Sequence, residues 1–159
     1  MIQRAAMFAL ALLATPAPVL AEIRFVDDRS SPVAVLRSLY NAINLHETTR
    51  AYAYWNGSTE VPDFATFAKG YATTAHVELL LGVPVSDGAA GSIYFNVPAA
   101  IRATDAGGGV HEFAGCYVLR QIDPTLQAVR PFRPIFIVSG HLKPVTGLLQ
   151  AALPKGCGG

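Results

Sequence analysis

The spacing of apolar residues divides the chain into a helical first part and an extended second part. Across residues 32–45, apolar side chains recur every three or four positions, which predicts an amphipathic helix that begins at a serine cap, Ser31. Two shorter helices are predicted over residues 48–55, capped by a threonine, and over residues 63–71, capped by Asp63. The first part of the chain is therefore expected to be a group of three helices.

After Thr74 the period changes from that of a helix to that of a strand. Four strands are predicted, over residues 76–81, 92–104, 110–122 and 133–142. Residues 82–88 are expected to bend or turn the chain, and Pro98 predicts an edge position or a bulge, because proline cannot donate to the sheet. Helices followed by an antiparallel meander predict an α+β domain.

Residues 1–21 have the pattern of a secretory signal peptide. Arg4 supplies the positive charge, residues 5–14 are free of polar side chains, and small residues precede a cleavage point after Ala21. The apolar core is shorter than the roughly twenty residues that span a bilayer as a helix. We therefore expect an exported protein that begins at Glu22 with a short lead-in over residues 22–31.

The charge of the expected mature domain excludes two classes of partner. Loss of Arg4 reduces the 12 Lys and Arg residues to 11, which equals the 11 Asp and Glu residues. A neutral domain lacks the basic surface of a nucleic-acid-binding protein and the Lys/Arg clusters that bind anionic membranes. No nucleic acid, and no membrane after cleavage, is expected as a partner.

The two cysteines, Cys116 and Cys157, are about forty residues apart. In the oxidising compartment that an exported protein reaches, paired cysteines usually form disulfides. A bond between Cys116 and Cys157 would tether the Gly-rich carboxyl-terminal tail to a strand. Free thiols and a disulfide to a partner remain alternatives, and a catalytic cysteine is the least favoured.

The order of these segments and their residue patterns resemble those of the NTF2-like superfamily, also described as SnoaL-like or cystatin-like α+β rolls. The resemblance is greatest to small exported bacterial members of that superfamily. The segments that carry the resemblance are residues 31–44, 50–55, 69–71, 90–98 and 113–120. The resemblance implies amino-terminal helices packed in the concave face of a curved antiparallel sheet of about four to six strands, a cone-shaped roll. The roll would span residues 32–145, and residues 146–159 would form the tail.

The superfamily includes enzymes, binding domains and dimerisation modules, so the fold does not select a function. Its enzymes usually place an Asp–His or Asp/Tyr arrangement in the pocket, and this sequence has no such pairing at matching positions. The absence lowers the expectation of an enzyme.

Aromatic and polar residues spread over the helices and strands are candidates for a pocket at the open end of the roll. In such a pocket they would offer an apolar body with a hydroxyl, indole or amide donor. The alternative is that they fill the core between helices and sheet. The candidate ligand-binding residues are Tyr54, Trp55, Tyr71, Tyr94, Asn96 and Tyr117.

His76 and Glu78 are two positions apart on a predicted strand and so share one face. That geometry could supply two metal ligands, or a base with its orienting carboxylate, and these two are the candidate catalytic residues. The alternative is an exposed polar face of a half-solvated sheet. No spacing demands a third metal ligand, and we expect no metal and no cofactor.

These observations favour a non-catalytic domain in the bacterial periplasm or outside the cell. It would bind a small apolar or amphipathic molecule in the cone, or a protein partner. One alternative is a small periplasmic isomerase, dehydratase or hydrolase that uses a His/Glu/Tyr pocket. The other is a structural module that forms a homodimer through the open face of the sheet.

Overall fold

The computed structural model describes residues 23–55 and 58–158. The predicted signal peptide, residues 1–21, lies outside the described residues, as does the predicted first mature residue, Glu22. The elements in chain order are α1 Pro32–Asn44, α2 Thr48–Ala53, α3 Phe64–Tyr71, β1 Thr74–Leu81, β2 Val85–Ala89, β3 Ser92–Asp105, β4 Val110–Ile122, a 3₁₀ turn Pro124–Leu126, β5 Phe136–Val145 and α4 Leu149–Ala152. The fold is therefore α+β, as the sequence predicts. Among the helices of the described residues, none has the length and hydropathy needed to cross a bilayer.

Side-chain caps start two of the helices. The Ser31 hydroxyl accepts a hydrogen bond from the amide of Ala34, at 3.1 Å, and Pro32 occupies the first turn of α1. The Asp63 carboxylate does the same for the amide of Thr66 at the start of α3. Helix α2 has no side-chain cap and begins after Glu47, so the threonine cap predicted for it is wrong.

The sheet is open and antiparallel, with strand order β1-β3-β4-β5, and β2 also pairs with β3. The strand β2 was not predicted: the segment expected to turn the chain at Asp87 pairs in full with β3 instead. The turn falls three residues later, at Ala90 and Gly91, both of which have a positive φ. Gly91 suits this position because glycine adopts positive φ without steric cost.

Pro98 lies in β3, which is an interior strand, so the predicted edge position is wrong. On one side of β3, residues 92–96 pair with β2 and residues 99–105 pair with β1. Pro98 therefore faces the break between the two neighbours, where its carbonyl accepts a hydrogen bond from the amide of Gly82 at 2.8 Å. The missing N–H of proline costs no ladder bond at this break.

One face of the sheet, here called the helix-side face, shares a single apolar core with the helices. Alternate residues of the strands point into it, because successive strand residues face opposite sides. The Asn44 side chain also joins α1 to β1, since its amide donates to the carbonyl of Val77 and accepts from its N–H. The buried core residues include Val35, Leu36, Leu39, Val77, Val97, Ile101, Tyr117, Leu119 and Ile137.

The opposite face, here called the tail-side face, is partly covered by the carboxyl-terminal tail. Helix α4 contacts β3 and β4. A disulfide joins Cys116 of β4 to Cys157 of the tail, with their Cα atoms 5.9 Å apart, so the predicted disulfide is confirmed. Pro98 is fully buried and Ala100 has no exposed surface, because small side chains let the tail lie close to the sheet.

The lead-in before α1 is extended and is held by side chains of α1 and of the residues around α2. The Asn41 side chain accepts from the amide of Val26 and donates to the carbonyl of Arg24. The Arg50 guanidinium donates to the carbonyl of Val26 at 2.7 Å. The Ser38 hydroxyl accepts from the amide of Asp28 at 2.8 Å.

Candidate functional site

A cavity of about 620 Å³ lies between the helices and the helix-side face. Its walls come from α1, α3, the chain after α2, and strands β1, β3, β4 and β5. Most of the wall is apolar, and threonine, histidine and carboxylate side chains are also present. The lining residues used below are Tyr40, Trp55, Glu60, Gly70, Tyr71, Ala103, Asp105, His111, Tyr117, Gly140 and His141.

Two buried tyrosines on the cavity wall are hydrogen-bonded to each other. The hydroxyls of Tyr40, on α1, and Tyr117, on β4, are 2.5 Å apart, and their rings meet edge to face. Burial raises the pKa of both phenols, and the nearby Tyr71 raises both further. The hydrogen bond between the two hydroxyls raises the pKa of Tyr40 and lowers that of Tyr117, where the effect of burial dominates. Both hydroxyls therefore stay protonated and able to donate across the physiological pH range.

Tyr71 and Trp55 continue this aromatic wall. Burial also raises the pKa of Tyr71, whose hydroxyl is close enough to influence the pKa of Tyr40 and Tyr117. The Trp55 ring lies edge-on to Tyr117, with ring centroids 6.0 Å apart. The indole N–H of Trp55 is buried and has no hydrogen-bond acceptor among the described residues.

Gly140 of β5 makes room for the two rings. It pairs with Tyr117 across the β4–β5 ladder. A Cβ atom at this position would lie 2.5 Å from Cε1 of Tyr117 and 3.0 Å from Cη2 of Trp55, well inside van der Waals contact. The absence of a side chain therefore lets both aromatic rings pack directly on the strand.

Two histidine–carboxylate pairs form a polar rim. The Nε2 atom of His141 is 3.3 Å from the Glu60 carboxylate, and that of His111 is 3.6 Å from the Asp105 carboxylate. Hydrogen bonds from the backbone amides of Gly109 and Gly107, together with the nearby His111, hold the pKa of Asp105 below its ordinary value, and burial opposes them only in part. Both histidine side chains are mostly exposed, so this end of the site is hydrated.

Three of the predicted ligand-binding residues, Trp55, Tyr71 and Tyr117, line the cavity. Tyr54 does not: it is fully buried on another side of the helices, and its hydroxyl donates to the Asp27 carboxylate at 2.7 Å. Tyr54 and Trp55 are adjacent near the end of a helix, so their side chains point in different directions. The prediction that both line one pocket is corrected.

Tyr94 and Asn96 are also absent from the cavity wall. They alternate along β3 with Val97, whose side chain faces the core, so they lie on the tail-side face. The Arg120 guanidinium lies 5.5 Å from the Tyr94 ring centroid and donates to the Ser92 hydroxyl at 3.0 Å. These residues belong to the outer surface of the sheet.

His76 and Glu78 flank Val77, which points into the core, so both side chains point away from the cavity. Glu78 instead pairs with Arg102 at 3.2 Å, and Arg102 pairs with Glu112 at 2.8 Å. The exposed polar face, the alternative considered for this pair, describes their position. Over the described residues no group of three or more His, Cys, Asp or Glu side chains is placed to hold a metal ion.

Several cavity residues were not among the predicted site residues. Tyr40 lies on the apolar stripe of α1, where a sequence pattern indicates core and nothing more. Glu60 meets His141 because a loop after α2 reaches the edge strand β5, a contact between residues far apart in the sequence. The only sequence signal for Asp105 and His111 is their place at the junction of two consecutive predicted strands, 92–104 and 110–122.

No protein-family model, no curated protein and no solved structure matches this chain. The function is therefore inferred from the cavity and its own residues, and the NTF2-like resemblance stays a prediction.

Proposed function

We propose that this protein is an exported, non-catalytic NTF2-like domain that binds a small apolar or amphipathic molecule in the cavity beneath its helices. The observation that carries the proposal is the cavity itself, about 620 Å³ and lined by Trp55, Tyr71 and Tyr117. Sites for small molecules usually have volumes of about 300 to 1,000 Å³, with mostly apolar walls and a few polar groups.

The cavity opens to solvent and lies beside the packed core. Protein interiors are packed about as densely as organic crystals, with few voids larger than a water molecule. The rest of the core meets that standard, since Leu36, Leu39 and Leu119 have no exposed surface. An open cavity with a mostly apolar wall beside such a core can take up a small molecule without displacing core side chains.

The distribution of polar groups fits an amphipathic ligand. The aromatic wall suits an apolar body, whereas the rim formed by Glu60, Asp105, His111 and His141 suits a polar end that stays hydrated. Neither of the predicted catalytic residues, His76 and Glu78, contacts the cavity. An enzyme would have to use the rim pairs Glu60–His141 and Asp105–His111 instead.

Other properties support the same proposal. Helices that precede an antiparallel sheet and share one core with it agree with an NTF2-like roll. The disulfide is compatible with a periplasmic or secreted location, because such bonds persist in oxidising compartments. A homodimer through the open face of the sheet is less favoured, since α4 already contacts β3 and β4 there.

The test uses Trp55, which is the only tryptophan of the chain and lines the cavity. N-phenyl-1-naphthylamine, a neutral apolar fluorophore, should bind with saturation at one site, and its own fluorescence should rise as Trp55 emission falls. A cavity-filling variant, Ala103→Phe, should abolish binding.

The matched control is Val83→Phe, which adds the same ring at a position that is 83% exposed and outside the cavity. It should bind the fluorophore like the unmodified protein. Circular dichroism should show that both variants are folded. Absence of saturable binding, or binding that Ala103→Phe leaves unchanged, would refute the proposed function.

A further inference from the structure

The fixed charge of the cavity wall has one sign. The described residues that line the cavity include two carboxylates, Glu60 and Asp105, and no lysine or arginine. Lys69 and Lys143 are next to lining residues in the sequence, but both are exposed and neither belongs to the wall. A molecule that enters the cavity therefore meets negative charge without fixed positive charge beside it.

Both carboxylates are accessible from solvent. The Glu60 side chain is 47% exposed and the Asp105 side chain is 33% exposed, so an entering molecule can contact either one. Their partners in the described chain are the imidazoles of His141 and His111. A neutral imidazole can donate a hydrogen bond to a carboxylate but does not cancel its charge. The charge is thus available to a ligand.

The hairpin after β3 keeps Asp105 ionised. The backbone amides of Gly107 and Gly109 each donate to its Oδ1 atom at 2.8 Å. Hydrogen bonds to the charged form stabilise it, and they lower the pKa of Asp105 more than burial raises it. Asp105 therefore carries a negative charge at neutral pH and is held in one position by the backbone.

This arrangement discriminates between ligands by the charge of their polar end. Apolar walls around a cleft strengthen the field of charges at its mouth, so the two carboxylates act on any group placed there. An anionic head, such as the carboxylate of a fatty acid, would be repelled by Glu60 and Asp105, whereas a cationic head would be attracted. An uncharged head would gain nothing from either residue.

We propose that the ligand is an amphipathic organic cation. Its apolar body occupies the cavity, and its amine or quaternary ammonium group lies at the rim beside Glu60 and Asp105. The inference rests on the proposed function, because it assigns the chemical class of the molecule that enters the same cavity.

The test compares three probes with the same naphthalene ring. The cation is (2-naphthylmethyl)trimethylammonium, its uncharged isostere is 2-neopentylnaphthalene, and the anion is 2-naphthylacetate. Each displaces N-phenyl-1-naphthylamine from the mature protein at pH 8, where imidazoles are ordinarily neutral, and at low salt. The cation should bind about tenfold or more tightly than the anion, and this ratio should fall in high salt because ions screen the carboxylates.

Charge-removing variants locate the effect. Glu60→Gln should weaken the cation about threefold, and Glu60→Gln/Asp105→Asn about tenfold, while the isostere should change less than about twofold. Asparagine keeps an oxygen that can accept from the amides of the hairpin. The matched control is Asp87→Asn, which removes the same charge at an exposed position of β2 outside the cavity and should leave all three affinities unchanged.

Circular dichroism checks that each variant is folded. If the double variant does not fold, Glu60→Gln and the salt dependence in the unmodified protein still decide the result. An equal loss for the cation and its isostere in Glu60→Gln, or the same loss of the cation in Asp87→Asn, would overturn the inference.

The outcomes separate this inference from the proposed function. If the anion binds as tightly as the cation or more so, the cationic class is overturned while ligand binding stands. If N-phenyl-1-naphthylamine binds and the cation does not displace it, this inference alone fails. If that fluorophore does not bind, both proposals fall.

Discussion

Helices cover one face of the sheet and the carboxyl-terminal tail partly covers the other, but the polar groups of the two faces differ in exposure and in hydrogen bonding. On the tail-side face the charged groups are partly exposed and partnered: Arg102 pairs with Glu78 and Glu112, and Arg120 donates to Ser92. On the helix-side face the donors around Trp55 are buried, and the indole N–H has no partner among the described residues.

The difference indicates which face carries the site. Water satisfies exposed groups at little cost, so ion pairs on an outer face contribute modestly to stability. Buried donors have no such alternative, and leaving one unpaired costs about 1–3 kcal/mol. The following predictions test this contrast, from the largest expected effect to the smallest.

Removing the disulfide should have the largest effect on stability and a small effect on the cavity. The double variant Cys116→Ala/Cys157→Ala should lower the free energy of unfolding by about 4 kcal/mol, since the bond closes a loop over 41 residues of sequence. Urea denaturation measures the change. Affinity for N-phenyl-1-naphthylamine should change less than about twofold. A large loss of affinity in the folded variant would show that the two faces are coupled.

Gly140→Ala should disturb both stability and binding. The new Cβ atom would collide with Tyr117 and Trp55, and overpacking of this kind usually costs about 1–3 kcal/mol. Urea denaturation and fluorophore titration should both show a loss. Gly156→Ala in the tail, where a Cβ meets no atom within 4 Å, is the control and should change neither quantity. Equal effects from the two substitutions would contradict the close packing at Gly140.

Alkaline pH should destabilise the protein through the buried phenols. The pKa of Tyr40 and Tyr117 is raised in the folded protein, whereas tyrosines of the unfolded chain ionise near pH 10. Their stabilising effect is therefore complete below about pH 10 and is lost as the pH rises toward the folded pKa values. Each phenol should remove up to about 1.4 kcal/mol per pH unit from the free energy of unfolding.

Denaturation curves between pH 9 and pH 11 measure this slope. Tyr117→Phe should make the decline shallower, while Val83→Phe, at an exposed position that carries no titratable group, should leave it unchanged. Identical slopes in the two variants would argue against a raised pKa at Tyr117.

Arg102→Gln on the tail-side face should have the smallest effect. It removes two ion pairs in which the Arg102 side chain is 31% exposed, and solvent-accessible pairs of this kind contribute little to stability. The change in the free energy of unfolding should shrink further in high salt, and fluorophore binding should not change. A loss of binding would mean that the two faces do not act separately.

The sequence was sufficient for the fold class, the helix caps at Ser31 and Asp63 and the disulfide, because each depends on local chemistry or on compartment. It failed at β2 and at Pro98, where the outcome depends on how a neighbouring strand breaks. A pattern within one strand contains no information about such a break.

The candidate site was predicted in part. The alternation of side chains that predicts β3 also places Tyr94 and Asn96 on the face opposite Phe95 and Val97. The same alternation therefore excludes both residues from a pocket on the apolar face. Trp55, Tyr71 and Tyr117 line the cavity. The contact of Glu60 with His141 depends on the path of a loop and has no sequence signature.

The anchoring of the lead-in has a consequence for where this domain begins as an independent folding unit. A fragment that starts at Pro32 would retain the helices and strands of the described residues. It would nevertheless leave the side chains of Ser38, Asn41 and Arg50 without the backbone groups of residues 24–28 that they now bind. A fragment that includes residues 24–28 should therefore be more stable than one that begins at Pro32.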